Sequence, residues 1–105
     1  MSRVAVIAEV KLTPASIDPY IEAAKAVLEP TRREAGCERY GFGLDVADPH
    51  TLWISEQWSS KEALYKHLKT AHIQAFLAAV GSLDIVDMDA RMYEIDKISP
   101  IEMPE

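Results

Sequence analysis

The first apolar run, Val4 to Lys11, is β-branched and settles into alternation, with Val4, Val6, Ala8 and Val10 on one face; this predicts a strand. Thr13-Pro14 punctuates the chain, and Ile17, Tyr20, Ile21, Ala24, Val27 and Leu28 then recur at helical spacing. Pro30 has no N–H for an interior helical bond, so the helix is expected to kink or restart there. Thr31 to Glu34 should complete a last turn and Gly36 should end it. Tyr40, Phe42 and Leu44 alternate with Arg39, Gly41 and Gly43, predicting a second strand whose other face is bare at two glycines. Beyond the Asp48-Pro49-His50 turn, Leu52, Ile54, Glu56 and Trp58 share one face of a third strand, opposite Trp53, Ser55 and Gln57.

Ser59 and Glu62 have capping-box spacing, so a second helix is expected directly after Trp58, carrying Ala63, Leu64, His67 and Leu68. Thr70 can cap a further helical segment with Ile73, Phe76, Leu77 and Val80, which Gly81 stops. A last strand is expected from about Leu83 to Ile95, with Val86, Met88, Ala90 and Met92 on one side and acidic residues on the other. The order β-α-β-β-α-β is that of the ferredoxin-like split βαβ arrangement, an α+β fold with helices on one face of a four-stranded antiparallel sheet. It fills one domain, residues 1–98, with a two-proline tail over residues 99–105. A monomer would leave the second sheet face in water, and packing it against a second copy predicts a homodimer.

Composition narrows the partners. The 105 residues are 49% hydrophobic and 27% charged, as in an ordinary globular domain. A net charge of −6, from 17 acidic and 11 basic residues, argues against nucleic acid or an anionic membrane surface and for a small neutral or partly apolar molecule. Cys37 is the only cysteine, so the chain can form neither an internal disulfide nor a thiolate metal cluster, and a reducing cytoplasm suits it. The first apolar run is too short for a signal segment or a membrane span. The glycines lack nucleotide-binding spacing.

Residues Glu29 to Phe76 read EPTRREAGCERYGFGLDVADPHTLWISEQWSSKEALYKHLKTAHIQAF. This stretch resembles the antibiotic biosynthesis monooxygenase family, in which a helix end PTR-x-E-x-GC-x-x-Y precedes a D-x-x-DP turn, an E-x-W strand end and an H-x-x-x-x-H-x-x-F segment. The matching positions include Arg32, Glu34, Gly36, Tyr40, Glu56, Trp58, His67, His72 and Phe76. The resemblance implies a dimeric α+β barrel with a pocket between sheet and helices in each subunit. It also implies oxygenation of quinol-like or polyphenolic substrates without a metal or organic cofactor. The sequence holds no asparagine, so the asparagine, tryptophan and histidine set of haem-degrading relatives cannot be reproduced in full.

Among the matched residues, His67 and His72 are the candidates for acid/base catalysis, since imidazole titrates near working pH; either could equally be structural. On an unbroken helix their five-residue spacing sets them about 140° apart, which disfavours a shared zinc ion, and no metal is expected. Glu56 shares a strand face with apolar groups and could partner a histidine or pair with Arg32. Trp58 and Tyr40 are candidate substrate contacts or core, and Arg32 or Arg39 a candidate for an anionic group. His50 reads as a solvated turn residue. Three functions stay open: a cofactor-independent oxygenase, an isomerase or degrader of a small hydroxylated or phosphorylated carbonyl compound, and a non-catalytic ligand-binding or stress-response dimer.

Overall fold

A computed structural model describes residues 2–105. Its elements run β1 (Arg3–Leu12), α1 (Pro14–Arg32), β2 (Cys37–Leu44), β3 (Thr51–Trp58), α2 (Lys61–Leu68), α3 (Ala71–Val80) and β4 (Ile85–Ile95). The four strands form one antiparallel sheet in the order β2-β3-β1-β4, the ferredoxin-like α+β arrangement. The register explains why alternation predicted the faces correctly. Val4 lies opposite Trp58, Val6 opposite Glu56, and Val10 opposite Leu52, so the apolar sides of β1 and β3 form one surface. Tyr40 and Phe42 of β2 extend it beside Glu56 and Ile54. Against it α1 buries Ile17, Tyr20 and Val27, and α3 buries Ile73 and Phe76.

Two helix boundaries differ from expectation. Helix α1 is assigned continuously through Pro19 and Pro30 and ends at Arg32, two residues before the expected end. Pro30 sits in the last turn, and the carbonyl it leaves without a helical partner belongs to solvent-exposed Ala26, where water can replace the bond. Helix α2 is capped by Ser60, whose hydroxyl accepts from the Ala63 amide at 3.1 Å; Ser59 instead donates its backbone N–H to the Gly36 carbonyl at 2.8 Å. Gly36 has φ +87°, and a Cβ there would lie 2.6 Å from that of Ala63, so both conformation and space require glycine. Thr70 caps α3 as expected, its hydroxyl accepting from the Ile73 amide at 3.3 Å, and Gly81 ends that helix.

The helices leave much of the sheet uncovered. On the open face Ile7, Trp53 and Tyr93 are 45%, 39% and 46% exposed. Strand β4 is exposed on both sides: Met88 and Met92 share the helix-side face with Val10 and Val6, yet no helix packs closely over them among the described residues. The segment from Ser99 to Glu105 has no regular structure, and Ile101 and Met103 in it are almost fully exposed. No helix is long and apolar enough to cross a membrane.

Candidate active site

The early end of α1 places Glu34 in the turn that follows it. Its N–H donates to the Thr31 carbonyl at 3.0 Å, its carbonyl accepts from the Cys37 N–H at 3.1 Å, and its side chain reaches the α2–α3 region. There the helix is interrupted between Leu68 and Ala71, so His67 and His72 belong to different helices and the angular objection to their meeting no longer applies. The Thr70 hydroxyl donates to the His67 carbonyl at 2.7 Å and fixes the joint. One Glu34 oxygen, Oε2, is 2.6 Å from His67 Nδ1 and 2.7 Å from His72 Nε2. A carboxylate only accepts, so this pattern assigns a proton to each of those nitrogens and leaves His67 Nε2 and His72 Nδ1 as the free lone pairs.

The two histidines then differ in access. His67 is 1% exposed, with its ring 4.7 Å from that of Trp58 and 5.4 Å from that of Tyr40. His72 lines a surface cavity of about 160 Å³ between α1 and α3, otherwise walled by alanines, Val27 and Phe76. A cavity of roughly 150 Å³ with apolar walls is large enough for one benzene-sized ring.

Glu56 does not pair with Arg32. Its Oε1 accepts from the Trp58 indole N–H at 3.0 Å, and the Arg32 Nε–H goes instead to the Tyr40 carbonyl at 2.9 Å. Burial raises the Glu56 carboxyl above its ordinary value; the Trp58 hydrogen bond and His67 oppose that shift and Glu34 adds to it. Burial, followed by the charge of Glu56, raises the Tyr40 phenol as well. Trp58 is fully buried and Tyr40 nearly so, and neither lines the His72 cavity; Arg32 lies outside it too. His50 is exposed in its turn. The structure therefore brings together Glu56, Trp58, Tyr40 and His67 inside the fold, and joins them to His72 through Glu34.

Glu34 had no separate role in the sequence reading. Its place in the P-T-R-x-E-x-G-C pattern was the available signal, but a helix expected to continue through it concealed its reach. Thr31 is the second such residue: it is fully buried, and its hydroxyl has no hydrogen-bond partner among the described residues.

The raised Glu56 carboxyl has a pH signature. Between its ordinary value of 4.5 and the raised folded value, the folded chain holds this proton and the unfolded chain does not, so stability falls as pH rises through that window. Glu56→Gln keeps an oxygen for the Trp58 N–H and removes the titration. The variant should show a flatter stability–pH slope and be the more stable above the window; identical slopes in urea denaturation series would refute this.

Comparison with known proteins agrees with the fold. The family model described as "Antibiotic biosynthesis monooxygenase" matches residues 3–79, most of the chain. The chain belongs to the antibiotic biosynthesis monooxygenase family. Among curated members it is 30% identical to the "Probable quinol monooxygenase YgiN" of Escherichia coli K12, over 85% of this chain and 94% of that protein. It is 25% identical to the protein sll1783 of Synechocystis over 88% of its length, and spans 63% of that longer relative. Rv0793 from Mycobacterium tuberculosis superposes with a TM-score of 0.80 at 26% identity, covering 99% of this chain and 100% of its own. The Glu34, His67 and Glu56 positions all fall inside the matched family segment, as does His72.

Proposed function

We propose that this family member is a monooxygenase for a small quinol-like or polyphenolic substrate, with His72 as the general base. The observation that carries the reading is that His72 lines an apolar, ring-sized cavity while Glu34 holds its Nε2. Nδ1 of His72 takes a phenolic proton from the bound ring. The resulting anion supplies electrons to dioxygen, and a carbon–oxygen bond forms to give a peroxide, which the proton from His72 converts to the hydroperoxide. Loss of water leaves the oxidised, oxygenated ring, so the substrate is itself the reductant. Glu34 keeps the imidazole oriented and stabilises its charged form, as a carboxylate does behind a catalytic histidine.

Oxygen uptake with a panel of hydroquinones tests this. His72→Ala is expected to lower uptake by about 10²- to 10⁴-fold, the usual contribution of a general base, with little change in the circular dichroism spectrum. Uptake no higher than the buffer blank with every quinol would remove the oxygenase reading. Turnover that persists without oxygen would instead favour the isomerase reading, although neither Arg32 nor Arg39, its candidate anchors for an anionic group, lines the cavity.

The same reading includes a homodimer of the dimeric α+β barrel type, supported by the exposed Ile7, Trp53 and Tyr93 on the open sheet face. Ile7→Glu puts a charge at the centre of that face. It should halve the molar mass found by light scattering; an unchanged mass would place any interface elsewhere.

A further inference from the structure

Glu34, His67 and His72 each offer one ligand atom, and the three atoms lie within 4.8 Å of one another. We infer that this cluster is a binding site for a divalent late first-row transition metal, of which zinc is the representative. Two imidazoles and one carboxylate form a donor set that suits zinc, and three protein ligands leave a fourth position for water. The donors come from the turn after α1, from α2 and from α3, so they converge only because the helix is interrupted between the two histidines. The His67 ring is already positioned by Trp58 and Tyr40, and its backbone is held by Thr70.

Tetrahedral bonds of roughly 2.1 Å to the metal set the ligand atoms about 3.4 Å apart. The carboxylate must therefore withdraw by about 0.7 Å from its present contacts of 2.6 and 2.7 Å, and His72, 25% exposed, must turn inward. Both present contacts use Oε2, which leaves Oε1 free to take part. The ring protons move to His67 Nε2 and His72 Nδ1, so the metal exchanges two hydrogen bonds for three coordinate bonds with no net proton release. His72 Nδ1 then has no lone pair to act as a base, and bound zinc should suppress any activity that depends on it. The metal site itself does not depend on the oxygenase reading, because binding is measured without substrate.

The test uses the full chain, stripped with EDTA and titrated with Co²⁺, followed by Zn²⁺ competition. One Co²⁺ per chain is expected, with visible ligand-field bands that Zn²⁺ abolishes. His72→Ala and the closer-sized His72→Gln should each weaken binding by at least about tenfold, while His50→Ala in the exposed turn leaves it unchanged. Circular dichroism of each variant separates lost ligation from lost folding. Absence of saturable Co²⁺ binding would overturn the inference, as would binding that survives both His72 variants or disappears with His50→Ala.

Discussion

Glu34→Gln is expected to lower quinol-dependent oxygen uptake by about 10²- to 10⁴-fold while leaving the chain folded. The reason is the single oxygen that serves two histidines, at 2.6 Å from His67 and 2.7 Å from His72. An amide in that place has one accepting oxygen and a donating NH₂ group. It can satisfy both ring N–H groups only if both crowd onto the oxygen, without the negative charge that supports a protonated imidazole. A rotated amide would present its NH₂ to one ring and force that ring into its other tautomer, taking up the lone pair that should receive the substrate proton. Glu34 acts through His72, so it is a positioning residue. The effect should appear in kcat more than in KM, and Glu34→Asp should recover little because the shorter side chain cannot reach both rings. Equal activity of Glu34→Gln and the parent chain would show that the carboxylate is not needed to orient the base.

Trp58→Ala carries the largest expected loss of stability, about 3–5 kcal/mol. Trp58 is 0% exposed at the end of β3, against the rings of Tyr40 and His67, and its indole N–H is the donor to Glu56. Truncation removes the aromatic packing, opens a void beneath His67 and leaves a half-buried carboxylate without its hydrogen bond. Against a total of roughly 5–15 kcal/mol for a domain of this kind, that is a large share. Urea denaturation gives the number directly, and a loss under about 1 kcal/mol would mean that the surroundings collapse to fill the space.

The sheet was legible in the sequence because a side-chain period of two admits only one assignment of faces once one face is buried. Val4, Val10, Leu52 and Trp58 were placed on the covered side by alternation, and the strand register puts them there. Helix ends were less legible. Capping competes over single residues, and Ser59 and Ser60 are chemically alike; the Gly36 carbonyl decides between them by taking the Ser59 N–H. The site was half legible. Its histidines stood out by their chemistry, but their convergence rests on a break between two short helices, and the link between them rests on where α1 ends. Neither is a property of residue spacing. The uncovered β4 was hidden for a related reason: its apolar side faces the same way as the core, and only the lateral reach of the helix layer leaves it bare.

The joint between α2 and α3, residues 69 and 70, has a consequence for how this chain can vary. A short surface connection is ordinarily where insertions and deletions accumulate without harm. Here a residue added or removed would displace and reorient α3 relative to α2 and carry His72 away from the shared oxygen. The joint should therefore tolerate changes of composition at Lys69 far better than any change of length, behaving as a fixed ruler within an otherwise permissive surface.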